Sequence, residues 1–352
     1  MIRALGSVTI TLAVLAVSPL AAQASSFQQD VVISREKGIV VTADSRVVYV
    51  LDPKTLEVRH RFWNEAVVVN LSLDKTGSRL LITDDARRLR IFATDKWTLV
   101  KEFTNVSHDQ VSFAPLANLV SVLKGRKMLL IDMADGAEKA QLALPDEYGM
   151  YAVMSPDARR AVVISTLQTS TEEKLQESKW PKDLPSDLEK EMFRQEHDGS
   201  QSRIAVVELP TGKILAEQKA HWFTAPPPIH GGGFKWQDDG LMFAPYNGPW
   251  VHIDSNAQVK MLKAPAWCNY GLGWSLAGDF CYTGSLATYV RLHNGKEDAK
   301  EELAREQLVP GFPEYFHGFG VEADGSAYAV TSAHRMARID KHGKVVEIKP
   351  YF

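Results

Sequence analysis

Short apolar stretches separated by turn residues recur along the whole chain. In each repeat an apolar strand end is followed by a small polar turn and then by a second apolar stretch. Runs of this length, bounded by turn residues, are typical of β-strands. The corresponding apolar positions of the seven repeats are Ile33, Leu73, Phe113, Met154, Trp236, Trp274 and Val321.

The spacing of these positions predicts the fold. Successive positions lie 40, 40, 41, 82, 38 and 47 residues apart. A period near 40 residues is that of β-propellers, whose repeats are blades of four antiparallel strands. In the first repeat the predicted strands are Val31–Ile33, Gly38–Ala43, Arg46–Leu51 and Glu57–Phe62. We therefore expect an all-β, seven-bladed β-propeller, whose end strands, Phe27–Ile33 and Val345–Ile348, complete the first and last blades separately.

The interval of 82 residues is twice the period and requires either an eighth blade or an insertion. The segment Ser165–Ser202 is charged, contains two prolines and lacks strand alternation, which favours an insertion in blade four. Two Ser-x-x-Glu capping boxes, beginning at Ser170 and Ser186, predict two short helices within it. This insertion is expected to be either a solvated decoration of the rim or a lid or partner-docking element.

The N-terminal residues have the features of a secretory signal peptide. Arg3 precedes the apolar run Ala4–Ala22, and Ala22-Gln23-Ala24 forms a small-x-small cleavage site. We expect residues 1–24 to be removed and residues 25–352 to form the propeller, in the periplasm or outside the cell. No later apolar run reaches the roughly 20 residues that a membrane-spanning helix needs.

The charge of the mature chain argues against a nucleic-acid partner. Cleavage removes one arginine and leaves a net charge of −4, without a basic tract.

We expect a monomer whose partner is a protein or a small ligand of the cell envelope.

Two segments carry a resemblance to known repeat families. Val47–Val58 resembles the YVTN family of bacterial propeller repeats, and Gly318–Ile348 is similar to NHL and related WD-repeat-like repeats. The likeness extends over the mature chain as a repeat pattern. It implies the propeller fold, but these families include enzymes, electron-transfer partners and scaffolds, so it leaves the activity open.

An acidic residue follows the third strand in five repeats. These residues are Asp52, Asp132, Glu208, Asp254 and Asp340. Acidic side chains accept backbone N–H groups in tight turns, so we assign them a turn role rather than a metal-binding role.

The loops between blades, and those between second and third strands, lie on one face of a propeller, which we call the upper face. In blades four to seven these loops are unusually aromatic, and five of the eight tryptophans lie between Trp222 and Trp274. Aromatic rings offer a large contact area with a polar edge, which suits ligand or partner binding. The predicted contact residues are Trp222, His230, Tyr246, Trp250, Trp267, Tyr270, Tyr315, His317 and His334. Trp236 and Trp274, at the repeat positions, are expected in the core.

Three histidines are predicted near the top of the central channel. His108, His230 and His317 each precede a first strand by a few residues. Imidazoles there have the chemistry for a transition metal or for general acid–base catalysis. Because no carboxylate is placed by spacing to orient them, and no catalytic motif occurs, we assign no catalytic residue, no metal and no cofactor.

Two features of blade six stay open at this stage. If Trp274 faces Cys281, then Cys268 is about 20 Å away along the strand, which argues against a disulfide that an oxidising compartment would allow. No Cys-x-x-Cys-His motif occurs, which excludes covalent haem of the c type. Lys296–Leu308 fits either an outer strand or a short helix.

The sequence thus favours an exported binding or scaffold protein that uses the aromatic face of blades four to seven. A lyase or hydrolase with His230 or His317 as general base is the alternative. A metal-dependent oxidoreductase is a third possibility.

Overall fold

The computed structural model describes most of the chain from residue 30 onward. The described residues are 30–107, 111–144, 151–167, 190, 201–221, 234–237, 239–243, 250–262, 271–275, 279–285, 288–302 and 314–352. All statements below refer to these residues.

The described residues form seven sheets, each of four antiparallel strands in sequence order. Blades one and two contain β1 (Val31–Ser34), β2 (Ile39–Asp44), β3 (Val47–Leu51), β4 (Val58–Trp63), β5 (Val68–Leu73), β6 (Arg79–Asp84), β7 (Arg88–Ala93) and β8 (Thr98–Thr104). Blades three and four contain β9 (Val111–Ala114), β10 (Leu119–Lys124), β11 (Lys127–Asp132), β12 (Glu138–Ala143), β13 (Tyr151–Met154), β14 (Arg160–Leu167), β15 (Gln201–Glu208) and β16 (Ile214–His221). Blade five contains β17 (Phe234–Gln237), β18 (Gly240–Phe243), β19 (Trp250–Asp254) and β20 (Val259–Leu262). Blades six and seven contain β21 (Gly271–Trp274), β22 (Phe280–Ser285), β23 (Thr288–His293), β24 (Lys296–Glu302), β25 (Phe316–Val321), β26 (Ala327–Thr331), β27 (Arg335–Ile339) and β28 (Val345–Pro350).

This arrangement is a seven-bladed β-propeller and confirms the predicted fold class. All seven repeat positions fall in the first strand of their blades, and the strands of blade one match the prediction to within one residue. First strands of neighbouring blades contact each other, as β1 does with β5 and β25, and therefore line the centre. Outer strands such as β4 and β8 are mostly exposed.

The core consists of hydrophobic clusters between consecutive blades. Six such clusters join blades one and two, two and three, three and four, four and five, six and seven, and seven and one. Because successive strand residues point to opposite faces, Val40 packs towards blade seven while Val41 packs towards blade two. Central strands are therefore apolar on both faces, which explains their unbroken apolar runs.

The ring closes by side-chain packing between the two ends of the chain. β1 pairs only with β2 of blade one, and β28 pairs with β27 of blade seven, so no blade is shared. Val40 and Tyr49 of blade one pack with Val330 and Tyr351 of the C-terminal region. This confirms that the end blades are completed separately.

The acidic turn residues have the predicted role in four of the five repeats. Asp52 Oδ1 accepts the backbone N–H groups of Lys54 and Thr55 at 2.7 and 2.8 Å. Asp132, Asp254 and Asp340 accept backbone N–H groups in the equivalent turns. Glu208 differs because its longer side chain accepts the Thr211 hydroxyl at 2.8 Å.

The described part of blade four corrects the boundaries of the predicted insertion. β14 continues to Leu167 and β15 begins at Gln201, so both ends of the predicted Ser165–Ser202 segment are strand. Side-by-side pairing of these two strands extends their ladder beyond the length of the other blades. The two predicted helices fall on residues 168–200, of which only Lys190 is described, and the described residues do not support a helical insertion.

Blade six settles one open question and corrects one expectation. Lys296–Glu302 is an outer strand paired with β23, as the first alternative proposed, and residues 303–308 lie outside the described part. Trp274 faces Cys281 as predicted, yet Cys281 is disulfide-bonded. The only other cysteine in the sequence is Cys268. The distance argument, which extended the first strand back to Cys268, was therefore wrong, and Cys268 itself lies outside the described residues.

The two tryptophans expected in the core are only partly buried. Trp236 packs against the cluster between blades four and five, with the Arg160 guanidinium 5.5 Å from its ring centroid. No helix among the described residues has the length and apolar character required to cross a membrane.

Candidate functional site

Three of the predicted contact residues, Tyr315, His317 and His334, lie within the described part of the chain. Six further candidates lie outside it, namely His108, Trp222, His230, Tyr246, Trp267 and Tyr270. Trp250 is the first residue of β19, and only its backbone is described. The three described candidates all belong to blade seven, on the upper face beside blade one.

The loop that enters blade seven is fixed to the hairpin between β26 and β27. Tyr315 N–H donates to Ser332 Oγ at 2.9 Å, and Ser332 N–H donates back to Tyr315 O at 2.8 Å. Tyr315 remains 44% exposed. A rigid backbone therefore presents a large aromatic ring to solvent.

Glu314 and Arg335 form the polar anchor of this hairpin. Arg335 Nε donates to Glu314 Oε1 at 3.0 Å, and its Nη2 pairs with Glu314 Oε2. The Thr331 hydroxyl also donates to Glu314. Both charged side chains are largely buried, and a two-pronged Arg–carboxylate contact fixes geometry as well as charge.

His334 lies at the tip of the same hairpin and reaches across to blade one. Its φ of 53° is a left-handed conformation, and its Nδ1 pairs with the Asp44 carboxylate at the end of β2. Its half-exposed ring is 5.9 Å from the ring of Phe352 and 6.3 Å from that of Tyr351. The backbone N–H of Tyr351 donates to His334 O at 3.1 Å.

His317 lies next to this pair, at an irregularity between β25 and β26. Burial lowers the pKa of His317 below its usual value, Asp44 opposes this effect, and His334 lowers the pKa further. The His317 imidazole is therefore neutral at neutral pH, with one donor and one acceptor nitrogen.

Together these residues form what we call the seam rim: Tyr315, His317, His334 and Asp44, supported by Glu314 and Arg335. The seam rim combines an exposed phenol, a neutral imidazole and a histidine held by a carboxylate. These side chains can recognise a polar or aromatic group through hydrogen bonds. The neutral imidazole of His317 also has the chemistry of a general base. Among the described residues, no group of three or more His, Cys, Asp or Glu side chains is arranged to hold a metal ion.

Sequence reasoning missed Asp44 and Glu314, although blade two contained a usable signal. There Glu65, also before a first strand, pairs with Arg88 at 2.5 Å, just as Glu314 pairs with Arg335. Asp85 Oδ1 accepts Val67 N–H at 3.0 Å, as Ser332 Oγ accepts Tyr315 N–H. Both blades thus place a glutamate shortly before the first strand and an arginine at the start of the third strand, although the spacing differs by one residue.

Comparisons with known proteins place the chain in a fold class. No protein-family model matches it, and no curated protein matches its sequence. Its structure matches 1625 solved chains. The dihydro-heme d1 dehydrogenase NirN in complex with DHE aligns over 92% of this chain and 66% of its own length, with 16% identity and a TM-score of 0.50.

Two further solved structures share the fold. A chain of the mitotic checkpoint complex aligns over 87% of both chains, with 9% identity and a TM-score of 0.51. Hydrazine synthase from Kuenenia stuttgartiensis aligns over 85% of this chain and 91% of its own, with 11% identity and a TM-score of 0.51. The chain is thus a β-propeller protein, and likeness at these identities concerns the fold alone.

Proposed function

We propose that the protein is an exported binding or scaffold protein that engages a cell-envelope ligand or partner protein through its upper face, with the seam rim as part of the contact. The observation that supports this proposal is that Tyr315, His317 and His334 lie on one side of blade seven, where His334 pairs with Asp44 of blade one. The aromatic loops predicted for blades four to six would extend the same surface. We also propose that its repeats are of the YVTN or NHL type.

The buried anchor beneath the seam rim supports a binding role. The Glu314–Arg335 contact holds the hairpin without using the exposed edge of Tyr315 or the outer nitrogen of His334. A surface that is fixed before binding loses little conformational entropy when a partner arrives. Aromatic side chains with a polar edge are common anchors of such contacts.

A quantitative co-purification experiment tests the role of the seam rim. His334→Ala and Tyr315→Ala are expected to lower the yield of the main co-purifying partner or ligand at least about tenfold, the loss typical of an interface anchor. The matched control is His342→Ala, an exposed histidine of the same blade in the turn between β27 and β28, on the opposite face. Equal recovery with all three variants would contradict the proposal.

Export is tested separately by the mass of the protein recovered from the host. We propose that residues 1–24 are removed, so the mature chain should begin at Ser25 in the periplasmic or extracellular fraction. A chain that retains its N-terminal residues in the cytoplasmic fraction would contradict this part. We also propose a monomer without a resident metal or cofactor. Light scattering of the same sample tests the monomeric state, and elemental analysis tests for a bound metal.

The neutral state of His317 favours one alternative, a lyase or hydrolase with a histidine general base. In this function His317 would accept a proton, and the Asp44 carboxylate would stabilise the positive charge that develops on its imidazole. His317→Ala would then abolish turnover while the fold persists, and His317→Gln would not restore it. Full turnover by His317→Ala would exclude this residue as the base.

A further inference from the structure

A cavity of about 360 Å³ lies on the lower face, opposite the seam rim, between blades seven and one. Among its lining residues are Ile33, Pro53 and Lys54 of blade one and Tyr328, Arg338 and Val346 of blade seven. Its volume is within the range of small-molecule pockets. An occupant would contact the first and the last blade at the same time.

The two walls of this cavity are already fixed to each other. The Tyr328 hydroxyl donates to Pro53 O at 3.0 Å, which joins β26 to the turn after β3. Arg35 pairs with Glu322, and also with Asp324 at 3.1 Å. The cavity is therefore formed before any ligand binds, which limits the entropy lost on binding.

The carboxylates beside the cavity are satisfied by the protein itself. Glu322 is paired with Arg35, and Asp340 Oδ1 accepts the backbone N–H groups of His342 and Lys344, both at 2.9 Å. They leave little negative potential to attract a cationic ligand.

Two cationic donors at the cavity have capacity left. Among the described residues no carboxylate lies within ion-pair distance of Lys54 Nζ. Arg338 pairs with Glu347 through Nη2 at 3.1 Å, but its buried Nε has no hydrogen-bond partner in the described part of the chain. The protein therefore satisfies the Arg338 guanidinium only in part.

We propose that this cavity binds a small amphiphilic monocarboxylate. Its carboxylate accepts hydrogen bonds from Lys54 Nζ and from the accessible part of the Arg338 guanidinium, and its apolar part packs against Ile33, Pro53 and Val346. Because the ligand bridges blades seven and one, its binding stabilises the closed ring by mass action. This site is independent of the function proposed for the upper face.

Calorimetric titration with 3-phenylpropanoate tests this proposal. The expected result is saturable one-to-one binding with a Kd on the order of 1 mM, a value set by the small size of the probe. The neutral 3-phenylpropanamide should bind at least about tenfold more weakly, because it lacks the charge that Lys54 and Arg338 recognise. Absence of saturable binding, or equal binding of the amide, would overturn the proposal.

Two matched variants locate the binding site. Lys54→Gln is expected to weaken 3-phenylpropanoate binding about tenfold, and Lys341→Gln, an equal charge change in an exposed turn residue of the lower face outside the cavity, should leave it unchanged. Equal Kd values for Lys54→Gln and Lys341→Gln would overturn the assignment to this cavity. His334→Ala should bind the probe like the wild type, so failure of the upper-face proposal and failure of this one are separate results.

Discussion

At the scale of single residues, Asp30 shows how burial within the propeller changes the pKa of a carboxyl group. Asp30 lies just before β1, and its Oδ2 accepts the backbone N–H of Leu71 in blade two at 2.8 Å. The residue keeps some exposure, but its carboxyl group is enclosed by protein, and this burial raises its pKa to about 7. The hydrogen bond from Leu71 opposes the shift and does not cancel it.

The raised pKa of Asp30 predicts a specific pH dependence of stability. The folded protein holds the Asp30 proton more tightly than the unfolded chain, whose pKa is near 3.8, so this group costs stability as pH rises from about 4 to about 7. Asp30→Asn keeps an acceptor for Leu71 N–H and removes the charge. Thermal unfolding should show that this variant gains stability over the wild type as pH rises to about 7, and that the gain then levels off.

The exposed Asp95 supplies the control for this measurement. Asp95→Asn should follow the wild-type profile throughout the same pH range. A parallel profile for Asp30→Asn and the wild type would contradict the burial of a titrating carboxyl at this position.

At the scale of strands, the sequence predicted those strand boundaries that are set by hydrophobic alternation and by turn residues. Blade one was predicted to within one residue because its strands are short, apolar and bounded by turn residues. The ends of the blade-four insertion were not predicted correctly. Thr166–Leu167 and Gln201–Ser202 pair with each other and extend β14 and β15, but these two segments are far apart in the sequence. Thr166, Gln201 and Ser202 are polar, so each segment resembles a loop when its sequence is read without its pairing partner.

Blade six offers a test of how neighbouring blades are joined. Arg291 in β23 is buried, pairs with Asp298 of β24 through two contacts of 2.8 and 2.9 Å, and donates to Lys341 O of blade seven at 2.9 Å. Asp298→Ala leaves this guanidinium without its carboxylate. We expect a loss of about 2 kcal/mol in the free energy of unfolding, measured by denaturant titration.

Glu297→Ala, at the neighbouring exposed position of the same strand, is the control for Asp298→Ala and should change stability by less than about 0.5 kcal/mol. Equal losses for the two variants would show that Asp298 does not hold Arg291 in its contact with blade seven.

At the scale of the whole molecule, ring closure depends on Tyr351, near the C-terminal end of the described residues. Tyr351 is 1% exposed and its ring centroid is 5.1 Å from that of Tyr49 in blade one, whereas Phe352 is 77% exposed. At the same seam, Gly320 approaches Val31 so closely that a Cβ would lie 2.5 Å from its carbonyl oxygen. Larger residues at position 320 would separate blade seven from blade one.

The same closure explains why the candidate site was only partly predictable. Tyr315, His317 and His334 stood out because aromatic and imidazole groups fell in upper-face loops. Asp44 could not be connected with them, because it lies near the other end of the chain and meets His334 only when blade seven packs against blade one.

Removing the C-terminal residues one at a time tests this closure. Deletion of Phe352 alone should leave stability nearly unchanged, whereas deletion of Tyr351 and Phe352 together should cost about 3 to 5 kcal/mol, as loss of a buried aromatic side chain does. The Tyr351 hydroxyl is buried and has no hydrogen-bond partner among the described residues, so Tyr351→Phe should be neutral or slightly stabilising. Equal stability of the two truncated proteins, measured by denaturant midpoint, would contradict the account of ring closure.

Site-specific photo-crosslinking in the host cell tests the proposed binding role of the upper face most directly. A photoreactive residue replaces Tyr315 in one variant and His342, on the opposite face of the same blade, in the other. The account predicts a discrete crosslinked product from position 315, absent from position 342 and lost when His334→Ala is added. Crosslinking only from position 342, or no product from position 315 in a folded and exported protein, would contradict it.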